Sequence, residues 1–234
     1  MDVILPFGAL EQHGPHLPLS TDSVIAEALA HEVARREGNL LVSPCLPIGA
    51  SSHHASFDGT VSLSGETIVA YVRDATASLL TQGFRFVFLI SGHAGNMPFM
   101  SQAVSSLPDE ARERVAAFVD WTAQRKALHD WAGSVLGLRP ELVGSHAGHF
   151  ETSIMLHLAP ERVDMEAAPA GFIGPVEEAT STLDAAGMRA LSSVGVVGDA
   201  RGASGSAGKE YFQVLLDTIH DFIVGHRRRA RVDS

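Results

Sequence analysis

Apolar residues along the chain fall into two alternating kinds of segment, short unbroken runs and longer stretches with a helical repeat. The runs Val3-Ile4-Leu5, Leu40-Leu41-Val42, Phe86-Val87-Phe88-Leu89-Ile90 and Val115-Ala116-Ala117-Phe118-Val119 are rich in β-branched, leucine and aromatic residues and free of charge. Strands buried on both faces read this way. Between the first two, Ser20-Thr21-Asp22 offers capping side chains to a helix running to about residue 36. Val24, Ile25, Ala28, Leu29 and Val33 mark its face and Gly38 its stop. Ser64 opens a second helix that closes near Gln82-Gly83, a third follows Asn96, a fourth covers about residues 150–158 ahead of Pro160, and a fifth about 207–226. Strand–helix alternation predicts an α/β fold, a single-domain sandwich over residues 1–234 with a mostly parallel central sheet flanked by helices.

Composition narrows the function. Among 234 residues, 27 are acidic and 17 basic, a formal net charge of −10, which argues against a chain that lives on nucleic-acid phosphates. No apolar run approaches the roughly 18 residues of a membrane span, and the first residues lack the basic and apolar regions of an export signal. A single cysteine, Cys45, excludes an internal disulfide and a thiolate metal site. A cytoplasmic protein with no membrane or nucleic-acid partner is expected.

Histidine is the residue that stands out. There are 12, and seven of them (His13, His16, His53, His54, His93, His146, His149) crowd into four short Gly/Ser/Pro-rich segments. Three of these segments follow predicted strands, where α/β sheets bind their ligands. Glu11 and His13, two residues apart in extended backbone, point the same way. With Asp22, His93 and Glu151 they make two imidazoles and three carboxylates, a nitrogen and oxygen set that suits Zn²⁺, Mn²⁺ or Fe²⁺. Five ligands exceed what one catalytic zinc takes from protein, and a pair of ions about 3.5–4 Å apart accommodates them. Taken singly, Glu11 and Asp22 suit a solvated loop and a helix cap equally well. His93 is flanked by glycines after a buried strand, which lets the backbone approach a ligand closely. His16, His149 and His157 are expected to be structural.

Other chemistries find no support. Residues 198–208 are glycine-rich but lack the phosphate-loop pattern, there is no Gly-x-Ser-x-Gly elbow, and Cys45 lies beside Pro44. The basic run from His226 to Arg229 complements a helix C-terminus.

Four ordered segments carry a family resemblance. Leu5-Pro6-Phe7-Gly8-Ala9-Leu10-Glu11-Gln12-His13-Gly14-Pro15-His16-Leu17-Pro18-Leu19-Ser20-Thr21-Asp22 resembles the signature of the creatininase family of metal-dependent amidohydrolases. His54-Ala55-Ser56-Phe57-Asp58-Gly59-Thr60, Ser91-Gly92-His93-Ala94-Gly95-Asn96 and His146-Ala147-Gly148-His149-Phe150-Glu151-Thr152-Ser153 continue it. The resemblance implies a parallel sheet between helices, two divalent metal ions, and a homo-oligomer, often a hexamer. It implies that Glu11 and His93 hold one ion, His13 the other, and Asp22 bridges them, with His146 as the acid/base histidine. Creatininase completes its second site with a glutamate two residues after the His93 position. Gly95 stands there in this chain, so Glu151 is expected to supply that carboxylate as ligand and catalytic group. Creatininase also has a tryptophan just ahead of its acid/base histidine, where Arg139-Pro140-Glu141-Leu142-Val143 has no aromatic residue. Creatinine is therefore not the expected substrate.

The expected reaction is hydrolysis of a C–N bond in a small amide or cyclic amide by a hydroxide held at the metal pair, with His146 shuttling the proton. Ser52, His54 and Ser62 are expected to orient the substrate. Family relatives that trim the mycofactocin precursor peptide or hydrolyse inositol-derived ring diketones define the alternatives within the family. A relative that binds metal or ligand without catalysis is the alternative outside it.

Overall fold

Four parallel strands, β1 (Asp2–Phe7), β2 (Leu40–Val42), β3 (Val87–Ser91) and β4 (Val115–Ala117), form one sheet in the order β2-β1-β3-β4. The computed structural model describes residues 1–232. Val3 pairs with Val87 and Phe7 with Ser91, while Asp2 pairs with Leu40 on the other side of β1. From β1 the chain moves to β2 on one side, and from β2 it crosses back over β1 to reach β3 on the other. The crevice beyond the carboxyl ends of β1 and β3 is therefore the topological switch point at which such sheets bind ligands.

Ten helices surround the sheet among the described residues: α1 (Thr21–Glu37), α2 (Gly65–Thr81), α3 (Met97–Ser105), α4 (Asp109–Arg112), α5 (Trp121–Leu136), α6 (Pro140–Val143), α7 (His149–Leu158), α8 (Val176–Ala186), α9 (Met188–Leu191) and α10 (Gly205–Val232). Alternation along the strands decides the layers. Ile4, Phe88 and Ile90 face a core built with α1, α5, α7 and α10, whereas Val3, Leu5, Phe7, Val87 and Leu89 face α2 and α3. Both faces are covered, which is why the strands read as unbroken apolar runs.

The expected fold class holds, with specific departures. β1 extends to Asp2 and Phe7, and β4 stops at Ala117 because the chain turns away, leaving Val119 exposed. Ser64 caps α2 by accepting from Thr67 N, and Gly38 ends α1 with φ 68° and its N–H on Ala34 O. Ser20, however, makes no side-chain cap bond, and Asp22 is buried and turned toward His13. Sequence periodicity missed α5 because its buried face is Gln124, Leu128, His129 and Ala132, half of it polar. It missed α8 because that helix buries only Ala179. α10 begins at Gly205 and continues through Val232, so Arg227 lies inside it. There the guanidinium pairs with Asp2 (2.7 Å) and Glu37 rather than with a helix end.

α10 and α7 pack at backbone distance. A Cβ at Gly208 would lie 1.7 Å from Ser153 O, so only glycine permits this approach. The contact presses Tyr211, fully buried, onto the ring of His149, whose Nδ1 is 3.0 Å from the Tyr211 hydroxyl. Gly208→Ala is expected to separate the two helices and to cost about 1–3 kcal/mol of stability through overpacking, read as a lowered denaturation midpoint with an unchanged m-value.

Candidate active site

Loops leaving β1, β2 and β3 reach the same rim, and one side chain ties them together. Asn96 donates through Nδ2 to Gly8 O (2.9 Å) and Ser91 Oγ (3.1 Å), and accepts at Oδ1 from Ala50 N (2.8 Å). Close glycine contacts bring α1 into the same place. A Cβ at Gly92 would stand 2.2 Å from Asp22 O, and one at Gly8 would stand 2.0 Å from Ser23 Oγ. The fourth segment enters through Ala147, the one non-glycine residue at positive φ (50°) among the described residues. That conformation is strained for an L residue. It is held by Glu151, whose carboxylate accepts from Ala147 N, and by Thr152 Oγ1, which donates to Ala147 O (3.2 Å).

These constraints converge on a buried cluster. Glu11 and His13 are 0% exposed and Asp22 1%. Glu11 Oε2 lies 3.2 Å from His93 Nε2, and Glu11 Oε1 lies 3.5 Å from His54 Nε2 and 3.6 Å from His146 Nδ1. Asp22 spans the middle, with Oδ1 3.3 Å from His13 Nε2 and Oδ2 3.6 Å from His93 Nδ1. Glu151 Oε2 is 3.8 Å from His13 Nε2. His53 stacks on His93 with ring centroids 5.6 Å apart. Four overlapping trios of these side chains bring ligand atoms within 4.8 Å of one another.

The environment splits the imidazoles into two kinds. Burial opposes charge on His13 and His93, but Asp22 holds His13 up to about 10 and Glu11 holds His93 up to about 9. Burial pushes His54 down to about 3 against the pull of Glu11, and it lowers His146 well below the usual histidine value, with His13 adding to the effect. Burial would raise Glu11, yet His93 and the other imidazoles hold it well below the ordinary carboxylate value. Glu151 is raised to about 7 by burial, partly offset by His13. Among the described residues no lysine or arginine pairs with these carboxylates.

A cavity of about 530 Å³ opens from the cluster between α5 on one side and α8 and α9 on the other, reaching Trp121, Arg125, Thr180, Leu183 and Asp184. Ser52 and His54 line it. Ser62 does not; its Oγ accepts from Ser51 N (2.8 Å) and donates to Leu63 O (3.0 Å), bracing the loop behind. His16 bonds Thr152 Oγ1 (2.8 Å), His149 bonds Tyr211 and Gly202 O, and His157 is exposed on α7. Sequence reasoning assigned nothing to Gln12, His53 or Asn96. No local signal marks Gln12, whose amide partners His54 and Gly195 lie far along the chain.

The cluster tests well against a divalent metal. Glu11 Oε1 and Oε2, His13 Nε2 and Asp22 Oδ2 are buried and have no hydrogen-bond partner, whereas buried polar atoms are normally paired. Nitrogen and carboxylate donors in this proportion suit zinc, manganese or iron.

An α/β sandwich with imidazoles and carboxylates massed at its switch point has the build of a metal-dependent hydrolase. The sequence profile of one such family, described as "Creatininase: Creatinine amidohydrolase", matches residues 2–223. The chain belongs to the creatininase family, whose members are metal-dependent hydrolases acting on C–N bonds. It is 35% identical over 223 residues to the mycofactocin precursor peptide peptidase of Mycobacterium ulcerans, covering 92% of this chain and 81% of that one. It is 32% identical over 241 residues to the creatinine amidohydrolase of Pseudomonas putida, covering 94% and 88%. Among solved structures, a mutant creatininase of the Zn-Zn type superposes with a TM-score of 0.77 at 28% identity, over 95% of this chain and 89% of that one.

Gly95 stays a constraint within this geometry. A Cβ there would lie 2.3 Å from His93 Nε2 and 2.6 Å from Ala50 O. Gly95→Ala is expected to displace the His93 ring from Glu11 and to weaken Zn²⁺ binding by about tenfold or more, the size of effect that loss of ligand orientation produces. Isothermal titration of the metal-free protein with Zn²⁺ checks this.

Proposed function

We propose that this chain is an amidohydrolase that cleaves the C–N bond of a small amide, cyclic amide or short peptide. Two divalent ions, zinc, manganese or iron, would be held by Glu11, His13, Asp22, His93 and Glu151. The reading is carried by the four buried, unpartnered atoms of Glu11, His13 and Asp22. Glu11 and His93 would hold one ion and His13 and Glu151 the other, while Asp22 turns Oδ1 toward His13 and Oδ2 toward His93. When bound, such ions polarise a carbonyl and make a water more acidic.

The chain's own groups do the rest. His146, kept neutral by burial, takes the proton of the attacking water and returns it to the leaving nitrogen. Ser52 and His54 contact the substrate in the cavity, and Ser62 holds their loop in place. The Trp121 and Arg125 side of α5 and the facing side of α8 bound the far end of the substrate.

A short peptide is the second reading. A cavity of about 530 Å³ is of the size that encloses a drug-sized ligand, larger than a single small ring requires. The identity to the mycobacterial peptide peptidases supports it. The family resemblance further supports an assembly of identical chains, a hexamer, and the single cysteine suits a reducing cytoplasm.

Elemental analysis after reconstitution with Zn²⁺ or Mn²⁺ is expected to give about two ions per chain, falling to one or none in Asp22→Ala. His146→Ala is expected to keep both ions and lose about 10²–10⁴ in kcat on the best substrate of an amide and peptide panel. Failure to bind metal would overturn the dinuclear reading, and unchanged kcat would remove His146 from proton transfer.

A further inference from the structure

Gln12 sits between two side chains of the cluster, but its amide is locked by backbone groups. Nε2 is 3.1 Å from Gly195 O and 2.8 Å from His54 Nδ1, and Oε1 is 3.0 Å from Gly14 N. A backbone carbonyl only accepts and a backbone N–H only donates. Turning the amide over would set oxygen against oxygen at Gly195 and N–H against N–H at Gly14. The side chain is 5% exposed, so water would not relieve either mismatch. The amide nitrogen has two hydrogens, and one goes to Gly195 O. The other goes to His54 Nδ1, which must offer its lone pair. In a neutral imidazole the proton then resides on Nε2, the atom 3.5 Å from Glu11 Oε1 on the ring that lines the cavity.

His146 is set by a different group. Its Nε2 lies 2.8 Å from the backbone oxygen of Gln12, an obligate acceptor, so this nitrogen carries the proton. Both amide hydrogens of Gln12 are already committed. Its 3.1 Å approach to His146 Nε2 is therefore a contact between two donor nitrogens rather than a bond. His146 Nδ1 keeps its lone pair, 3.6 Å from Glu11 Oε1. Two rings with centroids 4.3 Å apart thus face one carboxylate oxygen with opposite chemistry, an N–H from His54 and a lone pair from His146. His54 lies at ligand distance from Glu11 and His146, but its protonated Nε2 has no lone pair for a metal.

We propose that His54 donates the hydrogen bond that stabilises the substrate's carbonyl oxygen as it gains negative charge. Gln12 is the positioning residue that sets the His54 tautomer, and His146 Nδ1 is the atom that accepts the proton. The donor role rests on the amide-hydrolysis reading above; the tautomers do not.

The test is nitrogen NMR of the Zn²⁺-loaded protein labelled with ¹⁵N-histidine, using ring proton–nitrogen correlations assigned with His54→Gln and His146→Gln. Both rings are expected to carry their proton on Nε2. In Gln12→Glu, a carboxylate that accepts at Nδ1 is expected to move the His54 proton to Nδ1. His146, held by the backbone carbonyl at position 12, stays as it is, and metal content is unchanged. A His54 proton on Nδ1 in the unsubstituted protein, or no change in Gln12→Glu, would overturn the tautomer assignment.

For a substrate identified in the panel, Gln12→Glu and His54→Ala are each expected to lose about 10²–10³ in kcat with KM little changed, the effect of removing one such donor. His54→Gln retains an N–H near the Nε2 position and is expected to recover part of that loss. Equal losses in His54→Gln and His54→Ala would overturn the donor role, and this pair decides the matter if Gln12→Glu does not fold. An unsubstituted protein that turns over no amide or peptide would sink the hydrolytic reading and the donor role together. The tautomer assignment would still be decided by the spectra.

Discussion

Three carboxylates, Glu11, Asp22 and Glu151, are buried side by side with only imidazoles to balance them, and the surrounding structure is organised by the need to hold them there. Isolated charges in a protein interior are costly. The chain meets that cost with position rather than with cations. Asn96 fixes the relative heights of three strand-end loops, and glycines at 8 and 92 admit the first turn of α1 against them. The strained backbone at Ala147 places His146 and Glu151 on the fourth side. Each device would be an unexplained expense if the carboxylates were not meant to meet.

The same arrangement divides four histidines into two working states. His13 and His93 each touch two carboxylates and are held in a proton-rich state when no other cation competes. His54 and His146 are enclosed by Gln12 and the 195–197 segment and are held neutral. Environments that drive like groups apart are how one residue type serves as both charge partner and proton carrier. Neither state is a property of histidine itself; each follows from which neighbour reaches which ring nitrogen.

Much of the architecture was legible in the chain. Strands buried on both faces announce themselves as unbroken apolar runs, and β1 to β4 were recognisable for that reason, as were the caps at Ser64 and Gly38. α5 and α8 were not, because α5 buries Gln124 and His129 beside Leu128 and Ala132 and α8 buries only Ala179, too few apolar residues to leave a periodic trace. The clustering of Glu11, His13 and His93 could be anticipated from polar segments following strands, and that of Asp22, His146 and Glu151 from the family resemblance. The place of Ser62 could not, since a serine that braces a turn and one that faces a cavity look alike in sequence. Gln12 escaped notice because its importance lies in hydrogen-bond directions toward Gly14 and Gly195, a residue far along the chain. Distant backbone partners leave no local signature.

The sheet order also governs when the protein can become itself. Among the described strands, β1 comes first in the chain and lies inside the sheet, between β2 and β3. Its ladder with β3 joins residue 3 to residue 87, and Glu151 is made later still. Contacts so distant in sequence are slow to form, so the β3-facing edge of β1, and Glu11 and His13 beyond its end, wait for partners that are made much later. Glu11, His13, Asp22, His93 and Glu151 come together only after α7 has docked against α1 and α10. A cation held by all of them would reward the finished fold and not the early steps, and its binding energy would be expressed as slower unfolding.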